Sequence, residues 1–277
     1  ALKVLVIDPS LNISYQLSES YLGNHKYTTN VVARDGRIFA APYLGSKVLV
    51  IDPSRNVSYQ LSEDYGSNAE KYRMSAMAGD GRIFAAPRSS VSKVLVIDPL
   101  RNFSYQLSEN YGSGSDKYIP NTMAPDGRIF AAPSHASKVL VIDPSRNVSY
   151  QLNEDYGSGN GMKYWTSAVA PDGRIFAAPA DALKVLVIDP SRNVSYQLRE
   201  SYSGSEKYWT SAVAPDGRIF AAPADALKVL VIDPSRNVSY QLSEDYGSGT
   251  IKYWTSAVAL DGRIFAAPAH ALKVLVI

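Results

Sequence analysis

The residue types best suited to proton transfer or metal binding are scarce in this chain. It has three histidines and no cysteine. His25, His135 and His270 lie in different copies of a sequence repeat and show no ligand spacing, so they do not predict a metal site. Acid–base catalysis needs a carboxylate or histidine placed for proton transfer, and we find none that departs from the repeat in a suitable position. We therefore predict no catalytic residue, no metal and no cofactor, and expect that the chain is not an enzyme.

A second candidate group is aromatic. Tyrosine is constant at one position of the repeat, and in three successive copies a tryptophan follows it. The resulting pairs are Tyr164 and Trp165, Tyr208 and Trp209, and Tyr253 and Trp254. Amphipathic rings of this kind bind sugars and proteins. Either these residues line a ligand site, or the tryptophans pack between neighbouring repeats as core.

Asparagine followed two residues later by serine is a third recurring feature. The six asparagines are Asn12, Asn56, Asn102, Asn147, Asn193 and Asn237. In a secreted protein, Asn-x-Ser is an N-glycosylation acceptor. Asparagine in a turn is equally explained by its tolerance of left-handed backbone conformation. The pattern slightly favours an extracellular glycoprotein over other locations.

All of these residues belong to a repeat of about 45 residues that accounts for almost the whole sequence. Lys-Val-Leu-Val-Ile begins seven times at spacings of 44 to 46 residues, and Asp-Gly-Arg-Ile-Phe-Ala-Ala-Pro recurs six times. A fixed period of this length indicates a repeat architecture.

One copy, residues 165–198, predicts four short antiparallel strands. They are A, Trp165 to Ala170; B, Arg174 to Ala178; C, Lys184 to Asp189; and D, Val194 to Leu198. The Asp172-Gly173 pair between A and B is a strong hairpin-turn signal. Strand C is apolar at every central position, as expected of a strand buried on both faces. Four such strands per copy predict one blade of a β-propeller.

Two segments of this copy match a known pattern: Pro171-Asp172-Gly173-Arg174-Ile175-Phe176 and Val185-Leu186-Val187-Ile188-Asp189-Pro190. On these segments the repeat resembles the short blades of the YVTN and NHL type propellers. The resemblance extends over all 277 residues. It implies an architecture and no particular activity, because such families include enzymes, sensors and adhesion modules.

The number of copies predicts a single all-β domain, residues 1–277, with six four-stranded antiparallel blades. Five blades are complete, and both chain termini together would form the sixth, which removes free sheet edges. One strand C is then surplus, because Lys3–Ile7 and Lys273–Ile277 fit the same slot. Either the sequence is cut from a longer array, or the spare strand pairs with another molecule.

Composition excludes two classes of partner. There are 28 basic and 26 acidic residues, spread evenly, for a net charge of +2. This balance provides no field for nucleic acid. The longest apolar run has only the length of a strand, so we expect no membrane insertion.

The connections between strands vary on one side of the predicted blades. All length differences fall in the D–A and B–C connections, which emerge on the same face, where binding residues usually lie. We therefore expect a non-enzymatic binding or structural propeller that acts as a protein-interaction or assembly scaffold. The alternative is a lectin-like module that binds glycan through the aromatic pairs, and a hydrolase is a remote third hypothesis. The expected partner is a protein or a glycan.

Overall fold

The computed structural model describes residues 1–67, 70–159 and 161–277. Within these residues the regular elements are 25 β-strands in seven antiparallel sheets. No helix in the described part of the chain has the length and apolar character needed to cross a membrane.

The strands are numbered in chain order. The first sheet contains β1 (Leu5–Asp8) and β2 (Ile13–Gln16), and the second β3 (Val31–Val32), β4 (Ile38–Ala40), β5 (Leu49–Asp52) and β6 (Val57–Gln60). The third contains β7 (Ser75–Met77), β8 (Ile83–Ala85), β9 (Leu95–Asp98) and β10 (Phe103–Gln106), and the fourth β11 (Tyr118–Met123), β12 (Ile129–Pro133), β13 (Leu140–Asp143) and β14 (Val148–Gln151). The fifth contains β15 (Tyr164–Val169), β16 (Ile175–Pro179), β17 (Leu186–Asp189) and β18 (Val194–Gln197), and the sixth β19 (Ala212–Val213), β20 (Ile219–Ala221), β21 (Leu230–Asp233) and β22 (Val238–Gln241). The seventh contains β23 (Tyr253–Val258), β24 (Ile264–Pro268) and β25 (Leu275–Val276).

The chain divides into two compact units. One consists of Ala1–Ser115 with Pro144–Ser149, and the other of Asp116–Asp143 with Tyr150–Ile277. The D–A connections Ser62–Lys71 and Asn153–Lys163 include positions 68, 69 and 160, which lie outside the described residues.

The predicted four-stranded meander is confirmed in five sheets, but the predicted count of six blades is not. The two ends of the chain form separate sheets, β1–β2 and β23–β25, which gives seven sheets instead of six. The reason lies in the duplicated strand C. Because β25 pairs with β24 through Phe265↔Val276 and Ala266↔Leu275, it occupies the slot that both Lys3–Ile7 and Lys273–Ile277 were predicted to fit.

Turn chemistry follows the sequence closely. Gly173 has a φ of 86° in the A–B turn, and Asn193 has a φ of 55° in the C–D turn. Positive φ is accessible to glycine at no cost and to asparagine more readily than to most residues. Both turns therefore form where Gly and Asn recur.

The core lies between sheets that are neighbours within each unit. In the second unit, Phe176, Val185 and Val187 of the fifth sheet pack against Ile219 and Leu230 of the sixth. Side chains of a strand alternate between its two faces. Strand C is therefore buried on both sides, as its continuous apolar sequence predicts.

Candidate functional site

The tyrosines of the predicted aromatic pairs are structural. Tyr164 and Tyr208 are fully buried, and Tyr253 is buried at 5% exposure. The Tyr164 hydroxyl donates to the Lys184 carbonyl oxygen at 3.2 Å and accepts from Gln197 Nε2 at 2.9 Å. Burial raises the pKa of Tyr164 above its ordinary value. The hydroxyls of Tyr164 and Tyr208 therefore connect strands A, C and D.

The tryptophans of the same pairs form a continuous row in the second unit. The rings of Trp165 and Trp209 are stacked, with centroids 5.1 Å apart, and Trp254 meets Trp209 edge-on at 4.9 Å. Trp209 is 8% exposed and Trp254 is 46% exposed. Each indole is thus covered by the one in the next sheet, and only Trp254 presents a large open surface.

Acidic side chains lie beside this row. Trp209 packs against Ala180 and Ala224, each of which precedes an aspartate. Asp181 accepts hydrogen bonds from the backbone N–H groups of Met162 at 2.6 Å and Glu206 at 2.7 Å. Burial, together with Asp225 and Asp181, raises the pKa of Glu206. The aspartates are therefore engaged in holding loops together.

Sequence reasoning missed a set of buried lysines. The constant lysine before the strand A tyrosine is buried at Lys71, Lys117, Lys207 and Lys252. The Lys207 ammonium donates to the Gly204 carbonyl oxygen at 2.5 Å. Burial lowers the pKa of Lys117 and of Lys207 to about 8. The lysine was constant in all six copies, which was the signal available in the sequence.

The predicted glycosylation asparagines take part in a contact between neighbouring sheets. Asn237 accepts from the Arg174 guanidinium at 2.9 Å and from the Tyr196 hydroxyl at 3.0 Å, both in the preceding sheet. Arg174 also donates to the Pro234 carbonyl oxygen at 2.6 Å and lies over the ring of Phe176. These bonds use the side-chain oxygen of the asparagine, whereas a glycan would be attached to its nitrogen.

Among the described residues, five asparagines accept such bonds. The arginine–asparagine pairs are Arg37 with Asn102, Arg82 with Asn147, Arg128 with Asn193 and Arg174 with Asn237. The tyrosine–asparagine pairs are Tyr15 with Asn56, Tyr59 with Asn102, Tyr105 with Asn147, Tyr150 with Asn193 and Tyr196 with Asn237.

A second polar contact repeats nearby. Ser195 of β18 donates from its backbone N–H and its hydroxyl to Glu154, both at 3.3 Å, and the Tyr156 hydroxyl donates to the Ser195 hydroxyl at 2.8 Å. The equivalent serines in the other copies are Ser58, Ser104, Ser149 and Ser239, each contacted by a tyrosine and a glutamate that precede it by about one repeat.

The terminal sheets expose apolar side chains that are buried elsewhere. Leu5 and Ile7 of β1 are 60% and 68% exposed, whereas their equivalents Leu95 and Ile97 are fully buried against the second sheet. Exposed large apolar residues of the seventh sheet include Trp254, Val258, Val274 and Val276.

Cavities occur on both faces of the sheets. On the turn face, equivalent grooves of 390 Å³ and 430 Å³ are lined by Asp126, Asp172 and Arg174 in one unit and by Asp35, Asp80 and Arg82 in the other. On the loop face, a cavity of 300 Å³ lies beside Tyr202 and Lys207. A further cavity of 380 Å³ on the loop face of the first unit is lined by Tyr21, His25 and Lys26.

Each of the three histidines lies in a loop of a different copy of the repeat. His135 Nδ1 lies 4.0 Å from Asp116 Oδ2, and His270 Nδ1 lies 3.0 Å from the Thr250 carbonyl oxygen. Among the described residues, no group of three or more histidine, cysteine, aspartate or glutamate side chains is arranged to hold a metal ion.

Solved structures with this arrangement of sheets are distant in sequence. Virginiamycin B lyase from Staphylococcus aureus is 10% identical with a TM-score of 0.65, over 90% of this chain and 80% of that one. A putative 6-phosphogluconolactonase from Bacteroides uniformis is 16% identical with a TM-score of 0.58, over 96% and 84%. The extracellular domain of a putative one-component system from B. thetaiotaomicron is 11% identical with a TM-score of 0.60, over 95% of this chain and 35% of that chain.

These likenesses confirm an all-β repeat fold of the β-propeller type. No protein-family model matches the sequence, and no curated protein matches it.

The comparison corrects the prediction that the chain is not an enzyme. Proteins with this fold include a lyase and a putative lactonase, so the prediction is contradicted. That prediction treated the uniformity of the repeats as evidence against catalysis. Catalysis on a given fold depends on a few local residues, which the symmetry of a repeat does not reveal.

Proposed function

We propose that this chain is a protein-interaction scaffold of the propeller type, and that it binds partners through the exposed apolar residues of its first sheet and, separately, through those of its seventh sheet. The observation that carries the proposal is the exposure of Leu5 and Ile7, whose equivalents in the third sheet, Leu95 and Ile97, are fully buried. Burial of such side chains is the main favourable term in association between proteins.

The scaffold is tested by locating its contacts. Lysine-directed cross-linking of the protein in its native source, followed by mass spectrometry, should give cross-links at Lys3 in the first sheet and Lys273 in the seventh, which flank the exposed residues. Leu5→Glu with Ile7→Glu should abolish the cross-links at Lys3. Leu100→Glu places one negative charge at a leucine that is 92% exposed and should leave them unchanged. Cross-links confined to the D–A and B–C loops contradict the proposal.

A lectin-like function is the second candidate, and Trp254 is the residue that favours it. Its indole is nearly half exposed at the end of the tryptophan row, and Trp209 Nε1 is a buried donor for which the described residues provide no acceptor. Exposed indoles stack on the apolar faces of sugars. Trp254→Ala should abolish binding on a glycan array, whereas Trp165→Phe, which keeps a ring in the stack, should retain it. An array without binding by the unaltered chain contradicts this candidate.

An extracellular location belongs to the same proposal. It is supported by the six Asn-x-Ser sequences and by two neighbours whose matched regions are extracellular domains. All six asparagines are exposed in C–D turns. Intact-mass measurement of the native protein should show glycans on these asparagines, and six unmodified asparagines would contradict secretion through a glycosylating pathway.

A further inference from the structure

The lysine that precedes the strand A tyrosine has different electrostatic surroundings in different copies of the repeat. In three copies burial lowers the pKa of this lysine, and an aspartate near the start of the D–A connection partly opposes the shift. The pairs are Lys71 with Asp64, Lys163 with Asp155, and Lys252, which also faces Asp225, with Asp245. In the connection before Lys207 the aspartate is replaced by Ser201. Lys207 therefore lacks the acidic partner that the same connection provides in those copies.

The replacement accompanies a buried amine of low basicity. Lys207 is 2% exposed, and burial lowers its pKa to about 8, although the carboxylate of Asp181 partly opposes the shift. Burial also lowers the pKa of Lys117 to about 8, and its connection has Asn110 in place of the aspartate. In the described part of the chain, Lys207 Nζ donates to the Gly204 carbonyl oxygen at 2.5 Å and forms no ion pair with a carboxylate. Buried charges in proteins are normally paired, so the neutral amine of Lys207 is populated at slightly alkaline pH.

Lys207 lines the cavity of 300 Å³ on the loop face of the second unit. The other lining side chains include Ser201, Ser203, Ser205, Asp225 and Lys228. The lining thus combines several hydroxyl groups with one carboxylate and a second amine. A few polar groups of this kind orient a small ligand in a pocket. A small hydroxylated molecule suits this lining, because hydroxyl groups both donate and accept hydrogen bonds.

The carboxylates around Lys207 are engaged with backbone groups. Asp181 Oδ1 accepts from the backbone N–H of Glu206 at 2.7 Å, and Asp225 Oδ1 accepts from the backbone N–H of Ile251 at 2.7 Å. Burial, followed by the charges of Asp225 and Asp181, raises the pKa of the adjacent Glu206. These groups hold the loops that surround the cavity, and the amine of Lys207 is bonded to a carbonyl oxygen alone.

We propose that the Lys207 amine is a nucleophilic site that captures small hydroxylated aldehydes as imines. The nitrogen lone pair attacks the carbonyl carbon and forms a carbinolamine. The carbonyl oxygen then leaves as water with the two hydrogens of the amine, and a C=N bond replaces the C=O bond, so no oxidant or reductant is needed. A desolvated lysine is activated for this reaction because more of it is neutral. The proposal adds a chemical activity and does not depend on the scaffold function.

The experiment traps the imine on the full chain with glyceraldehyde and cyanoborohydride, and locates the alkylated lysines by peptide mass mapping. At about pH 8, about half of the Lys207 side chains are neutral, against roughly 1% or less of an exposed lysine. We therefore expect Lys207 to be alkylated at least about tenfold faster than Lys3, which is exposed. The rate at Lys207 should level off above about pH 8, whereas the rate at Lys3 should keep rising to about pH 10.

Two reciprocal variants use the difference between the copies. Ser201→Asp introduces the aspartate of the other copies and should slow alkylation of Lys207 at pH 8 by about twofold or more. Asp245→Ser removes it before Lys252, whose ammonium donates to the Gly249 carbonyl oxygen at 2.9 Å, and should accelerate alkylation there by about twofold or more. Ser201→Asn is the matched control, because it adds a similar side chain without charge, and should leave the rate unchanged. Both positions are exposed, so the variants are expected to fold.

Alkylation of Lys207 at less than about ten times the rate of Lys3 overturns the inference. So does a rate at Lys207 that Ser201→Asp and Ser201→Asn change equally. Propanal tests the class of aldehyde: the preference for Lys207 over Lys3 should be larger with glyceraldehyde, and an equal preference overturns the assignment to hydroxylated aldehydes. The scaffold function is tested separately by cross-linking at Lys3 and Lys273, so failure of one proposal leaves the other intact.

Discussion

The Tyr59 hydroxyl donates a hydrogen bond of 2.8 Å to the side chain of Asn102, which belongs to the next copy of the repeat. The side-chain oxygen of Asn102 also accepts a hydrogen bond of 2.8 Å from the Arg37 guanidinium. Asn102 also has a φ of 56°, in the left-handed region. One side chain therefore fixes both the shape of the turn and the contact with the neighbouring sheet.

Substitution of Asn102 separates these two roles. Asn102→Gly keeps the left-handed backbone and loses the acceptor, which should lower the free energy of unfolding by about 1–3 kcal/mol. Asn102→Ala also strains the backbone and should cost roughly 1–2 kcal/mol more. Asn102→Asp retains an acceptor for Arg37 and should be the mildest change. Urea denaturation measures all three, and equal effects of Gly and Ala would show that φ does not matter here.

Arg174 makes contacts that lysine cannot reproduce. Its guanidinium reaches Asp172, Tyr196 and Asn237 together, a geometry that requires a planar fork of donors. Arg174→Lys should therefore lower the free energy of unfolding by about 2 kcal/mol. Arg192→Lys makes the same change at an exposed turn position and should have no measurable effect. Comparable losses in thermal denaturation of the two variants would contradict this assignment.

The buried Lys207 makes stability depend on pH. Its pKa is lowered by burial to about 8, from 10.5 in the unfolded chain. Between these values the unfolded chain binds more protons, so the free energy of unfolding should rise with pH, by on the order of 1 kcal/mol. The rise in the free energy of unfolding should stop near pH 10. Burial raises the pKa of tyrosines such as Tyr164, so above that pH the folded chain keeps protons that the unfolded chain loses, and the free energy of unfolding falls with pH.

Urea denaturation at three pH values between about 7.5 and 9.5 tests this dependence. Lys207→Met should be more stable than the unaltered chain at the lowest pH and should show a flatter pH profile. Lys3→Met, at an exposed lysine, is the control and should reproduce the profile of the unaltered chain. A profile unaffected by Lys207→Met would mean that the ammonium is not desolvated.

The position of a tryptophan in the row should determine how much its replacement lowers the free energy of unfolding. Trp209 lies between two other indoles and is buried, so Trp209→Ala should lower the free energy of unfolding by about 3–5 kcal/mol. Trp254→Ala removes a half-exposed ring with one neighbour and should cost roughly 1 kcal/mol. Tryptophan fluorescence in a urea titration measures both. A larger loss in the free energy of unfolding for Trp254→Ala than for Trp209→Ala would contradict the interpretation that Trp254 covers Trp209.

Much of the blade was predictable because its signals are local. The Asp172-Gly173 turn, the left-handed Asn193 and the doubly buried strand C follow from residue type and period alone. Which member of each aromatic pair is buried was not predictable. Tyr164 and Trp165 are adjacent in sequence, and only the strand register decides which side chain is buried and hydrogen-bonded. The edge pairing of β25 was beyond sequence reasoning for another reason. Two identical segments compete for one edge, and sequence cannot rank them.

The identity of the C strands has a consequence for how the chain reaches its native state. An incorrect partner from another copy offers almost the same hydrogen bonds and apolar contacts as the correct one, so misregistered intermediates lie close in energy to productive ones. Such degeneracy slows folding and favours kinetic traps. We expect refolding yields to fall steeply with protein concentration, and the divergent loops to supply most of the information that distinguishes one copy from the next.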